Sequence, residues 1–235
     1  MLPDHFYMTG LGHLVYWVLY LPASLGVSIL AHQLLFKRIS NRWLRWGIAL
    51  PLAFFIATAP LLNVYSISMQ AQQLCRAQGG LHVYKVVEAE GFLGEGSAER
   101  WTKYGFKYVE SGGGDKMSRY TMQDGKVVHQ RIQEFISRYQ SKTGDNHVVL
   151  GKYFARSSEL VIDRQTKEVL GELVFFSIYP GWLDNIAIGL TGLGSGFTPW
   201  SCGDEPPTGH KDGLGYGDVV MATIKPVKLN KGEAK

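Results

Sequence analysis

Two long stretches without a single charge, joined by a short cationic connection, constrain the fold more than any other feature of the chain. Leu14 to Ala31 reads LVYWVLYLPASLGVSILA, and Gly47 to Met69 reads GIALPLAFFIATAPLLNVYSISM. The first widens to Leu11–Phe36 if His13, His32 and Gln33 sit near its ends. A helix needs about 20 apolar residues to cross the hydrocarbon layer, so both stretches qualify as membrane spans, over about 11–36 and 47–69. Pro22, Pro51 and Pro60 argue against ordinary soluble helices, whereas membrane helices tolerate proline. Neither stretch has a polar face, which weakens the alternative of a helical hairpin buried in a soluble protein.

The connection, FKRISNRWLRW (36–46), holds four cations and three bulky aromatics. Lys37, Arg38, Arg42 and Arg45 mark the loop 37–46 as cytoplasmic by the positive-inside rule, and Trp43 and Trp46 suit the headgroup level. The tail MLPDHFYMTG carries no Lys or Arg. The expected topology is therefore N-terminus out, loop in and C-terminal domain out. The first span lacks the basic flank of a signal peptide, and AQQLC before Cys75 lacks the small residues of a lipoprotein site, so both spans are expected to be retained. Ser24 and Ser28 on the first span, and Ala49, Ala53 and Ala57 on the second, have the spacing that lets helix backbones approach closely in lipid.

Charge separates the two parts of the chain. Residues 1–69 carry four cations and one anion, a net +3. The remainder carries 20 Lys+Arg against 19 Asp+Glu and is nearly neutral. Such a domain offers no basic field for nucleic acid, and ten residues held against a bilayer make a poor groove reader.

From about residue 74 the pattern changes to short strands. LHVYKVVEAE (81–90) is rich in β-branched and aromatic residues, SAERWTKYG (97–105) suits a short helix, and FKYVES resumes as a strand. Asp124-Gly125 between two strand-like runs is a hairpin signal. The segment 126–139 also fits a helical face, but the preceding turn favours a strand. Residues 157–179 read as a second hairpin around Arg164 to Lys167, and VVMATIKPV as a late strand. The expected fold is α+β: a two-helix transmembrane hairpin (1–73), then a mainly antiparallel β domain (74–235). Cys75 and Cys202, the only cysteines, are candidates for a disulfide if the domain is exported; two buried thiols or a metal pair are the rivals.

Chemistry is harder to find. The chain contains no H-E-x-x-H, G-x-S-x-G or G-x-x-x-x-G-K motif, and GLGYGD (213–218) misses dinucleotide spacing, so no cofactor is expected. His13 and His32 stand 19 residues apart, about 28 Å along one helix, and cannot share a haem iron. In CGDEPPTGHKDG (202–213), Asp204, Glu205, His210 and Asp212 are weak candidates for a divalent-cation site; the rival is a solvated loop.

Cys75 with Gly79-Gly80 and VYK (83–85), IDRQTKEVLGE (162–172), GWL (181–183) and a late cysteine together resemble membrane-anchored or exported proteobacterial proteins of unassigned activity. The resemblance spans roughly residues 75–205. It implies a Gram-negative inner-membrane setting, implies no catalytic residue, and agrees with a disulfide. The expectation is a non-enzymatic inner-membrane protein whose periplasmic domain binds an envelope protein, as an accessory subunit or an immunity-type protein. Strand edges or the aromatic YPGW (179–182) would supply the contact. The alternative is an envelope enzyme, such as a metal-dependent hydrolase, built on the 202–213 loop.

Overall fold

A computed structural model describes residues 3–34, 41–94, 101, 104–123, 125–192, 200–203 and 216–227. The architecture is α+β, with N-terminal helices followed by a mostly antiparallel mixed sheet. Two compact units emerge. The first comprises residues up to 77 with 149–155 and 177–201, and the second comprises 78–148, 156–176 and the residues from 202 onward.

In the first unit, Thr9 caps helix α1 (Gly10–Val15), its side-chain oxygen accepting from Gly12 N. The helical path passes through a π-helical turn, Tyr16–Tyr20, into α2 (Leu21–Leu34). Asn41 then caps α3 (Arg42–Gln78), accepting from Trp43 N at 3.0 Å. At 37 residues, α3 is about 55 Å long, well beyond one hydrocarbon thickness. Gly10–Leu34 and Trp43–Gln78 are both long and apolar enough to cross a membrane. Only 11% of the residues in each apolar window are buried, whereas the core helix of a soluble domain would be mostly buried. The buried apolar cluster of this unit lies towards one end of these helices. There Met8, Val15 and Tyr16 meet Val64 and, from helix α4 (Trp182–Leu190), Leu183 and Ala187.

The second unit is built on strands β1 (Gly80–Val83), β2 (Val87–Ala89), β3 (Gly91–Leu93), β4 (Tyr108–Ser111), β5 (Ser118–Gln123), β6 (Lys126–Arg131) and β7 (Tyr139–Thr143). β9 (Phe154–Asp163) and β10 (Val169–Ile178) follow, mostly in this unit, then helix α5 (Tyr216–Thr223) and β12 (Ile224–Pro226); β8 (Val148–Leu150) and β11 (Trp200–Cys202) fall mostly in the first unit. The main sheet runs β1-β10-β9-β7-β3-β4-β5-β6, with β11 beside β10 and β8 beside β9; β12 and β2 form a separate pair. β1–β10, β7–β9, β4–β5 and β5–β6 pair antiparallel, whereas β3 is parallel to both β4 and β7.

Turn chemistry explains two of the pairings. β5 and β6 meet at Gln123↔Lys126, and Gly125 has φ of 75°, the left-handed conformation a two-residue hairpin turn demands. The strand reading of the 126–139 segment holds for residues 126–131. Between β9 and β10, Asp163 Oδ1 accepts from Gln165 N at 2.9 Å and Thr166 N at 3.3 Å, closing the second expected hairpin. The late strand expected over VVMATIKPV needs correction. Residues up to Thr223 are helical, and only Ile224–Pro226 form a strand. Val219 and Val220 are fully buried, so core packing overrides the local strand preference of β-branched residues. The helix expected over 97–105 falls largely outside the described residues.

The core of this unit is aromatic. Phe92 packs edge-on against Trp101 and Phe106, with ring centroids 5.3 and 5.0 Å apart. Val109, Val161, Leu170, Leu173 and Ile224 close around them. Each such side chain contributes about 1.5–3 kcal/mol through burial. Cys75 and Cys202 are both disulfide-bonded, and the chain has no other cysteine.

Candidate functional site

The sheet of the second unit ends at β6, whose outer backbone edge has no neighbouring strand among the described residues. Five of its six residues are exposed. Half the N–H and C=O groups of such a strand point away from its partner and can template another chain. Lys126 and Arg131 stand at its ends, and Val128, 38% exposed, lies between them. The opposite end of the sheet is different: β1 is only four residues long and packs against α5.

A buried ion pair holds this edge in register. Glu110 on β4 and Arg119 on β5 are direct cross-strand partners. The Glu110 side chain is 0% exposed and accepts from Arg119 Nε at 3.0 Å, Arg119 Nη2 at 2.7 Å, Ser137 N at 2.9 Å and Ile136 N at 3.3 Å. Burial alone would raise its pKa, but the hydrogen bonds from Arg119 and the Ser137 segment hold it below the ordinary carboxylate value. The guanidinium also lies 5.5 Å from the Tyr108 ring centroid. On the far side of β5, Tyr120 and His129 are paired across the strands with rings 4.9 Å apart, and His129 Nε2 meets Ser118 Oγ at 2.8 Å. The edge is thus supported strand by strand from a fixed charge inside the sheet.

The first unit holds a second buried carboxylate. Asp184, 1% exposed, accepts from Thr9 Oγ1 at 2.5 Å and Thr9 N at 3.2 Å, beside the first turn of α1. A Cβ on Gly12 would overlap its oxygens, so glycine is what allows this approach. Burial pushes the Asp184 pKa up, with the Thr9 bonds and His13 opposing. Nearby, Asn63 Oδ1 accepts from Trp182 N at 3.2 Å while its amide donates to Tyr153 OH at 3.2 Å. These bonds dock α4 against α1 and α3.

The residues singled out from sequence are dispersed. Asp204, Glu205, His210 and Asp212, like Lys37 and Arg38, lie outside the described residues, so the metal-site and hydrolase reading rests on sequence alone. Among the described residues, no three His, Cys, Asp or Glu side chains converge. Arg42 opens α3 and Arg45 follows one turn later. Ser24 and Ser28 donate to backbone carbonyls of their own helix, Leu21 O at 2.8 Å and Ser24 O at 2.7 Å. Ser28, Ala49 and Ala53 line a groove of about 490 Å³ between α2 and α3. From the π-helical turn, Tyr16 OH donates to Ala57 O at 3.2 Å and Tyr20 OH to Ile56 O at 2.6 Å on α3. His32 stacks on Trp46 at 4.3 Å. In YPGW, Pro180 and Gly181 are buried and Trp182 packs on Tyr20, so this stretch forms a docked turn and offers no free aromatic patch.

Sequence reasoning missed Glu110 and Asp184. Single carboxylates in strand-like or apolar surroundings were the available signal, since a lone acid there must find donors or neutralise. Protein-family profiles, curated proteins and solved structures, compared with the chain, yield no match.

Proposed function

We propose that this chain is an inner-membrane protein with its N-terminus and strand domain in the periplasm, and that the strand domain binds another envelope protein. The role is that of an accessory subunit or an immunity-type protein. The observation that carries the reading is the exposed terminal strand β6, in a chain that also has two membrane-length apolar helices. A partner strand added to β6 would gain backbone hydrogen bonds for affinity and side-chain contacts for selectivity. Acidic groups flanking that strand would complement Lys126. Orientation is supported by Lys37, Arg38, Arg42 and Arg45 and by the absence of Lys and Arg from the N-terminal tail; the loop expected over 37–46 needs correction, since Arg42 and Arg45 already belong to α3.

Affinity purification of the full-length protein from mild detergent tests this reading. A stoichiometric protein partner is expected, and a Lys126→Glu variant should lose it while melting at an unchanged temperature. Repeated recovery of the protein alone, or a partner retained by that variant, overturns the assignment of the β6 edge.

A further inference from the structure

The membrane-length helices are apolar along only part of their exposed surface, and that belt locates a further element. On the first helix the exposed large apolar side chains run from Leu14 to Leu34, and on the second from Trp43 to Tyr65. These intervals are 20 and 22 residues, about 30 and 33 Å, close to one hydrocarbon thickness. Helix α4 packs on Leu11, Val15, Tyr16 and Tyr20. That segment reaches six residues into the belt, about 9 Å below the level of Leu14. Trp182 meets Tyr20 edge-on at 5.6 Å, while Trp182 N is held by Asn63 and Asp184 by Thr9, so the first turn of α4 lies at the edge of the belt and its tryptophan ring reaches down to Tyr20.

We propose that α4 lies in the outer leaflet of the bilayer as an interfacial helix, with lipid acyl chains covering its outward face. This inference rests on the membrane reading above. Its outward residues are Asn185, Ile186, Gly189 and Leu190, and Ile186 and Leu190 are 53% and 74% exposed. On the first helix, Leu14, Trp17 and Val18 are likewise apolar and exposed, at 58%, 61% and 61%. The one charged residue of α4, Asp184, points inward and is buried. The one polar side chain on the outward face is satisfied internally, Asn185 Nδ2 donating to Pro180 O at 2.9 Å. The helix end is closed the same way: Thr191 N and Oγ1 both donate to Ile188 O, at 3.0 and 2.7 Å. A helix with its charge hidden, its polar groups bonded and bulky apolar groups outward is suited to the headgroup–acyl boundary.

The test is depth-dependent quenching on the full-length protein in phosphatidylcholine–phosphatidylglycerol vesicles carrying nitroxide-labelled lipid. With both native cysteines in a disulfide, an introduced thiol is the one site open to a bimane label without reduction, and the parent protein gives the background. Ile186→Cys and Leu190→Cys replace exposed side chains; Phe54→Cys, 72% exposed within the belt, and Ile136→Cys, 62% exposed on the strand unit, bracket them. The expected result is strong loss of fluorescence at 186, 190 and 54 with none at 136. Loss at 54 without loss at 186 and 190 overturns the placement of α4 and leaves the membrane anchor standing. No loss at 54 removes the membrane reading itself, and this inference with it.

Discussion

Replacing Glu110 with alanine should be the most damaging single change in the strand unit. The side chain is fully buried and serves four donors, two from Arg119 and one each from the backbone of Ile136 and Ser137. Its loss strands the Arg119 guanidinium, whose side chain is only 22% exposed, beside an empty space. Breaking a buried pair from one side costs about 3–5 kcal/mol, chiefly through the charge left behind. Glu110→Gln keeps the shape and one acceptor oxygen but turns an amide donor towards existing donors, and should cost roughly 1–3 kcal/mol. Urea unfolding of the full-length protein, followed by tryptophan fluorescence, gives both values. The double variant Glu110→Ala/Arg119→Ala should cost less than the sum of its singles, because the second change removes the stranded charge. Acid provides an independent arm. The folded carboxyl is held below its unfolded value, so its stabilisation is complete above about pH 4.3 and disappears as pH falls through the lower folded value. Wild type should therefore lose stability more steeply below about pH 4 than Glu110→Gln. A cost under about 1 kcal/mol for Glu110→Ala, or identical acid slopes, would refute the assigned role.

Three further outcomes follow from the geometry. Cys75→Ser and Cys202→Ser should each slow migration in non-reducing gels and cost up to about 4–5 kcal/mol by the chain-entropy estimate for so long a loop, with the double variant no worse than either. Equal labelling of native thiols before and after reduction would refute the bridge. Gly12→Ala should cost about 1–3 kcal/mol through overlap with the Asp184 carboxylate, measured by thermal melting in detergent, and an unchanged melting temperature would refute that close approach. A periplasm-dependent reporter fused after Lys235 should be active and one fused near Asn41 silent; the reverse pattern would overturn the topology.

How much of this was legible in the sequence depends on the range of the interaction. Uncharged length announces the helices directly, because it is a property of consecutive residues. Asp124-Gly125 and the Asp163–Glu168 turn were readable for the same reason: their signals are local. The helix over 216–223 was misread because Val219 and Val220 carry a strand preference that burial in a distant core overrides. Glu110 and Arg119 are nine residues apart, and nothing in their spacing says they face each other across a hairpin edge. Asp184 and Thr9 are separated by 175 residues, and only the folded chain brings them together. The aromatic YPGW run was expected outside, but its glycine fits against Asn63 and draws the tryptophan inward.

The place of β1 in the sheet sets a schedule for biosynthesis. Gly80 pairs with Val174, so 94 residues separate this strand from the one that completes it. At roughly 5–20 residues per second, a ribosome needs about 5–20 s to deliver that partner. Throughout that interval β1 has emerged without its partner strand, whereas β4, β5 and β6 can pair with their sequence neighbours as soon as they appear. The first strand of the unit must wait for the β9–β10 arm before it has anywhere to go.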